Sequence, residues 1–305
     1  MSKTIVFGHQ NPDTDTITAA ISLAHLIGAE PVALGATNEE TQYALKEFGH
    51  AELPIIKNIA ETGADSVWLV DHNEAQQSAA DIKDFDVAGV VDHHRIANFE
   101  TANPLFYRAE PVGCTNTIIH KLYVERGVEI PANIAGLMLS AIISDTLLFK
   151  SPTTTEEDIK AAHALAAIAN VNIELYGLEL LKAGTNLAAK TESELLNSDV
   201  KSFPMGDQTI RIGQVNTVSI PEVLDRKAAL IAEMEKENAA NGFDQFILII
   251  TDILESNSEA IVVGGDTSKI ESAFNTPVNA DVVVLPGVVS RKKQVVPQLT
   301  DAYNA

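Results

Sequence analysis

The chain has 305 residues, enough for one large or two medium domains with a substantial core. Its 42 acidic and 21 basic side chains give a formal charge of −21, which repels nucleic-acid backbone and disfavours extended polynucleotide partners. The single cysteine, Cys114, excludes an intramolecular disulfide, and no run approaches the ~20 apolar residues that span a bilayer. These features predict a soluble, cytoplasmic protein with no membrane and no nucleic-acid partner.

In chain order, apolar runs predict strands at residues 4–7, 31–34, 66–70 and 87–91, with a weaker signal around Ile55. Helical patterns at 16–27 and 39–48 lie between them. Continuous apolar strands separated by helices indicate a mostly parallel sheet covered on both faces. From Cys114 the apolar spacing of three and four predicts helices over 115–125, 131–144, 155–169 and 173–187. Pro131 suits a first helical turn, and Thr154-x2-Glu157 has the spacing of a capping box.

Residues 187–198 are polar and helix-compatible, a connector between domains. Beyond them come strands at 209–215, 246–250, 260–263 and 282–285 and a long helix over 220–240. The fold class expected is α/β. An N-terminal domain of residues 1–188 has a mostly parallel sheet with helices on both faces. A linker at 189–195 leads to a smaller C-terminal α/β domain of residues 196–305, with the active site in the cleft between them.

Short acidic and histidine clusters stand just past apolar runs: His9-x3-Asp13-x-Asp15, Asp71-His72-Asn73, Asp92-His93-His94 and Ser144-Asp145. Ligands bind at the carboxyl ends of strands in an open α/β sheet, so these clusters converge on one crevice. Carboxylates gathered in that way repel one another unless cations sit among them, which points to a multi-metal site. Asp13 and Asp15, two apart in an extended loop, project the same way and suit different ions of a pair. Asp71, with two oxygens, can bridge both ions, and His9, His93 and Asp145 would complete the shells. Mixed imidazole and carboxylate donors favour Mn, Co, Fe or Zn over Mg or Ca. Each piece alone also reads as a cap or a turn, Pro12-Asp13 included; recurrence is what favours metal. His25, His50, His72, His120 and His163 read as structural.

Arg291-Lys292-Lys293 is the densest basic run and follows the Pro286-Gly287 turn. It is either a solvated turn or a phosphate grip, in which Arg binds bidentately and Lys adds a point charge. Lys201 is either a second such cation or an exposed lysine. No Walker or GxGxxG motif supports nucleotide binding of those kinds.

The segments Gly8-His9-Gln10-Asn11-Pro12-Asp13-Thr14-Asp15, Val70-Asp71-His72-Asn73-Glu74, Val91-Asp92-His93-His94, Ser144-Asp145-Thr146 and Ser290-Arg291-Lys292-Lys293-Gln294 span almost the whole chain. Together they resemble the family II, manganese-dependent inorganic pyrophosphatases of the DHH phosphoesterase superfamily. The first four mark the superfamily, and the Arg-Lys-Lys run marks the pyrophosphatases. The resemblance implies that His9 and Asp13 bind one metal, that Asp15, His93 and Asp145 bind the other, and that Asp71 bridges them. Lys201, Arg291 and Lys292 would hold the phosphates, His94 would hydrogen-bond near the nucleophile, and Asp92 would orient the histidines. Asp13, Asp71 and His94 are then the catalytic residues.

Two Mn2+ per subunit are implied, with Co2+ or another divalent ion as a substitute, together with Mg2+ arriving on pyrophosphate. The resemblance also implies a homodimer formed by the N-terminal domains. The expected reaction is hydrolysis of pyrophosphate to two phosphates by a hydroxide bridged between the two metals. The alternative is another DHH phosphoesterase acting on short polyphosphate or small nucleotides, and an aromatic content of 5% disfavours nucleotides. The segment between Asp71 and Asp92 is too short for an inserted regulatory module.

Overall fold

A computed structural model describes residues 3–185 and 187–304, which divide into two compact units, Met1–Gly184 and Thr185–Ala305. The first unit runs β1 (Thr4–Phe7), α1 (Thr14–Ile27), β2 (Glu30–Pro31), α2 (Glu39–Glu47), β3 (Ser66–Val70), β4 (Asp86–Asp92) and β5 (Phe106–Ala109). Four helices follow: α3 (Thr115–Arg126), α4 (Ala132–Thr146), α5 (Glu156–Ala169) and α6 (Ile173–Thr185). The five strands pair in parallel in the order β2-β1-β3-β4-β5. Their runs are apolar because both faces are covered: Ile5, Phe7, Val67, Leu69 and Val90 join one buried cluster.

In this order β1 and β3 lie side by side while the chain leaves β1 toward β2. The switch opens a crevice at their carboxyl ends. Residues 8–15 and 71–74 fall at that point.

Two strand expectations need correction. Pairing at the second strand stops at Pro31, with only an isolated bridge between Ala33 and Ile55 beyond it. β5 has no counterpart in the apolar runs, because its sequence Phe-Tyr-Arg-Ala belongs to an edge strand with one side open to polar residues. The capping box at α5 also sits one residue later than Thr154-x2-Glu157. Thr155 and Asp158 make it, with the same spacing.

The second unit contains α7 (Glu192–Asn197), β6 (Val200–Met205), β7 (Gln208–Thr217), α8 (Ile220–Leu224), α9 (Lys227–Asn241), β8 (Gln245–Asp252), β9 (Asn257–Gly264), α10 (Thr267–Phe274), β10 (Val282–Leu285) and α11 (Val296–Asn304). Its sheet is mixed, in the order β10-β9-β8-β7-β6, with β7 and β8 parallel and the other pairs antiparallel. Ile247 and Ile249 face one apolar cluster while Phe246, Leu248 and Ile250 face another, the two-residue period of a strand buried on both sides.

The helix expected over 220–240 is two helices. Arg226 stands at the break, where its guanidinium donates to Leu187 O (2.9 Å), Lys190 O (2.7 Å) and Glu192 Oε1 (2.8 Å). Part of the expected connector is helical, since Thr191 and Glu194 form a capping box that starts α7. The unforeseen β6 contains Pro204, which an edge strand tolerates because its N–H is not needed for a second ladder. Among the described residues no single helix is long and apolar enough to cross a membrane.

Candidate metal centre

The first ligand loop is shaped by a close crossing. A Cβ at Gly8 would stand 2.5 Å from Thr16 Cγ2, so only glycine lets the end of β1 pass the start of α1. His9 follows, with its Nε2 3.6 Å from Asp13 Oδ2. Asp13 is the N-cap of α1 and accepts from Thr16 N at 2.9 Å through its other oxygen. One carboxylate oxygen thus starts the helix while the second remains directed at His9. Asp15 differs from expectation: it lies inside the first turn of α1, not in an extended loop.

Asp71 closes β3 in a left-handed conformation, φ 58°, which aspartate adopts more readily than most residues. Its carboxylate is 2% exposed and its two oxygens serve different neighbours. Oδ2 accepts from Thr16 Oγ1 at 2.6 Å and lies 3.5 Å from His9 Nε2. Oδ1 accepts from Thr115 Oγ1 at 3.1 Å and lies 3.4 Å from His93 Nε2.

Asp15 is held by the start of α3. Its Oδ2 accepts from Thr115 N (2.7 Å), and its Oδ1 accepts from Asn116 N (3.2 Å), Asn116 Nδ2 (2.7 Å) and Cys114 Sγ (3.1 Å). Asp145 enters from the last turn of α4 rather than from a strand end. Its Oδ2 is buried without a hydrogen-bond partner. Glu40 ties two of the ligand segments together, accepting from Thr14 Oγ1 (2.7 Å) and from Ser144 Oγ.

The two histidines after β4 have different settings. His93 Nδ1 donates to Val112 O at 3.0 Å, which leaves Nε2, the nitrogen facing Asp71, as a ligand atom. The His94 side chain is 52% exposed, and its Nδ1 lies 3.0 Å from Asp92 Oδ1. Asp92 is fully buried and accepts from Asn73 Nδ2 at 2.7 Å and from His94 N at 3.0 Å. His72 is buried against Phe7 with its Nδ1 2.9 Å from Val70 O.

Three sets of donor atoms, each within 4.8 Å of one another, emerge: His9, Asp13 and Asp71; Asp71, His93 and His94; and Asp15, Cys114 and Asp145. Asp71 is common to the first two. The electrostatics are those of anions lacking cations. Burial and the charge of Asp71 push Asp15 up to about 6. Burial, followed by the charges of Asp15 and Asp71, pushes Asp145 well above the usual carboxylate range. Burial opposes the charged form of Asp71, but hydrogen bonds from His9 and His93 outweigh it and hold the group well below that range. Burial lowers His9, while Asp13 and Asp71 overcome it and carry the imidazole to about 10. His93 reaches about 9 in the same way, against burial, through Asp71 and Asp15. The hydrogen bond to Asp92 raises His94. A divalent cation fits this donor set, since it would satisfy the orphaned Asp145 oxygen and replace protons on His9 and His93.

The basic run lies in the second unit, in a π-helical turn over Arg291–Val295 that leads into α11. Lys292 is exposed, as is Lys201 on β6. Arg291 is 8% exposed and internally engaged. Its Nη2 donates to Asp199 Oδ1 (2.6 Å), and its Nη1 to Asp199 O (2.5 Å) and Ile212 O (3.2 Å).

Sequence reasoning missed Thr16, Thr115, Asn116 and Glu40. Their signal was faint: hydroxyl, amide and carboxylate side chains near helix starts, which usually serve as caps or first-turn acids.

Residues 3–142 match the DHH family, N-terminal domain, and residues 178–302 match the DHHA2 domain. Along the whole of both chains, 62% of positions are identical to a probable manganese-dependent inorganic pyrophosphatase of Enterococcus faecalis. The chain belongs to the family II, manganese-dependent inorganic pyrophosphatases. A second member, from Lactiplantibacillus plantarum, is 57% identical, again over the full length of both chains. Among solved structures, a putative family II inorganic pyrophosphatase of Methanococcus jannaschii is 40% identical with a TM-score of 0.61, covering 99% of this chain and 100% of that one.

Proposed function

We propose the residue roles by which this chain hydrolyses pyrophosphate to two phosphates. The observation that carries them is the divided Asp71 carboxylate, with one oxygen beside His9 and the other beside His93. In this reading two Mn2+ ions per protomer would share Asp71. His9 and Asp13 would hold one ion, and Asp15, His93 and Asp145 the other. When bound, such a metal pair acidifies water and neutralises phosphate charge for in-line displacement.

The chain's own groups do the rest. Asp92 favours the charged form of His94 and orients the ring, so that its outward face can donate to a phosphate or to the attacking oxygen. Lys292 and Lys201 meet phosphate oxygens as point charges. Arg291 does so by exchanging its Asp199 contact for phosphate, and Mg2+ accompanies the substrate. Thr16 and Thr115 donate to the two oxygens of Asp71 and fix the carboxylate between its histidines.

A homodimer and a cytoplasmic setting complete the reading. The outer edge of β5, unpaired among the described residues, supports the first, and the lone cysteine supports the second. The test is phosphate release by metal-stripped protein reloaded with Mn2+ and supplied with Mg2+. Tripolyphosphate and a dinucleotide run as competing substrates. Fast, Mn2+-dependent release from pyrophosphate supports the roles. Inert pyrophosphate beside rapid cleavage of another substrate overturns them.

A further inference from the structure

One buried carboxylate stands behind the metal centre without belonging to any of its donor sets. Asp158, in the first turn of α5, is 0% exposed. Its Oδ2 accepts from Thr155 N (2.8 Å), Thr155 Oγ1 (2.7 Å) and Gly113 N (2.9 Å), and its Oδ1 accepts from Thr117 Oγ1 (2.6 Å). Two of these donors belong to its own helix cap. The other two belong to a different segment, the approach to α3 and its first turn. A Cβ at Gly113 would stand 2.8 Å from Asp158 Oδ2 and 3.1 Å from Thr146 Cγ2, so the approach is that close because residue 113 lacks a side chain.

The same segment orients three of the proposed ligands. Val112 O receives His93 Nδ1, Thr115 Oγ1 donates to Asp71, and Cys114, Thr115 and Asn116 supply every hydrogen bond to Asp15 described above. A helix cap alone needs only the Thr155 contacts. The bonds to Gly113 and Thr117 reach across 45 and 41 residues of chain and add nothing to the cap.

We propose that Asp158 is a positioning residue of the metal centre. It fastens residues 112–117 and through them sets the orientation of Asp15, Asp71 and His93. This rests on the ligand set proposed above. Outer partners of metal ligands, when removed, cost about 10–100-fold in metal affinity.

The test is the Mn2+ dissociation constant of the metal-stripped protein by titration calorimetry, with melting temperature and circular dichroism alongside. Asp158→Asn keeps an oxygen for the three donors at Oδ2 and turns an amide toward the Thr117 hydroxyl, which can accept. Asp158→Ala loses all four bonds. Gly113→Ala presses its Cβ on Asp158 Oδ2 and so strains the tie to the loop while the Thr155 side chain stays in place, and Thr155→Ala removes the cap hydroxyl without touching residues 112–117.

Asp158→Ala and Gly113→Ala are expected to weaken Mn2+ binding by about tenfold or more with the fold retained. Asp158→Asn should rescue most of that loss. Thr155→Ala should lower the melting temperature alone. Wild-type Mn2+ affinity in Gly113→Ala overturns the proposal, and that variant decides the matter if Asp158→Ala does not fold. A Thr155→Ala loss equal to that of Asp158→Ala also overturns it, because the effect then comes from the cap. Asp71→Ala run in parallel separates the two levels. Undiminished Mn2+ affinity there sinks the ligand set and the proposal together, whereas loss in Asp71→Ala but in neither Gly113→Ala nor Asp158→Ala sinks only the positioning role.

Discussion

Asp15 and Asp71 in the first unit and Arg291 and Lys292 in the second are charged groups on which the proposed roles depend, yet they are held differently. Asp15 and Asp71 are 1% and 2% exposed and take hydrogen bonds from hydroxyls, amides and backbone N–H groups of α1 and α3. Arg291 is paired with Asp199 on its own unit, and Lys292 projects from a single π-helical turn. The difference follows from what each group must do. A carboxylate that is to hold a cation gains from being fixed in advance, because it need not reorganise when the ion arrives. A lysine that meets an incoming phosphate gains from staying hydrated and mobile until contact.

Breaking the acidic side should have the largest effect. Asp71→Ala removes the proposed shared ligand, and phosphate release should fall by about a thousandfold, the scale seen when a group stabilising transition-state charge is lost. Mn2+ binding, read by calorimetry, should weaken with it. Full turnover in the purified variant would remove the bridging role. On the cationic side, Lys292→Ala should raise KM for pyrophosphate by about tenfold or more, the cost of one charge-assisted contact, while Mn2+ affinity stays put. Equal losses in both quantities would show that the two groups of charges are not separable.

The contrast also has a pH signature in the metal-stripped protein. His9 and His93 have folded-state values raised to about 10 and about 9 from an ordinary 6.5. A raised imidazole stabilises fully below its unfolded value, and that stability is lost as pH climbs through the folded one. Chelated protein should therefore melt progressively lower between pH 7 and 10. Mn2+-loaded protein should change less over the same window, because its ligands are already deprotonated. Thermal melts with and without Mn2+ check this, and identical slopes would refute it.

The smallest effect expected is that of Asp199→Ala. Asp199's side chain is 60% exposed, so solvent screens its pairing with Arg291, and the loss should be about 1 kcal/mol. Thermal melts measure that loss. A loss several times larger would make the second unit as preorganised as the first.

Much of this was legible in residue order. The strands at 4–7 and 66–70 stand where their apolar runs place them, because a strand covered on both faces must be apolar throughout. The edge strands β5 and β6 were not legible, since an edge needs no such run and β6 even contains Pro204. The histidine and aspartate clusters stood out because they recur directly after apolar runs. Thr16, Thr115 and Asn116 did not, because a hydroxyl or amide at a helix start has the same appearance whether it caps the helix or holds a ligand from far along the chain.

What the sequence by itself determined is the donor chemistry. Imidazoles and carboxylates at those spacings can bind divalent cations in any arrangement that gathers them, and a −21 chain with one dense basic run directs attention to that run. What only the tertiary structure decided is partnership. Asp15 meets Asn116 across 101 residues, Asp71 meets Thr16 across 55, and Arg291 meets Asp199 across 92. Local propensity carries no record of such contacts. The contact of Asp71 with Thr16, for one, follows from the close crossing of β1 and α1 at Gly8 and the left-handed turn at Asp71.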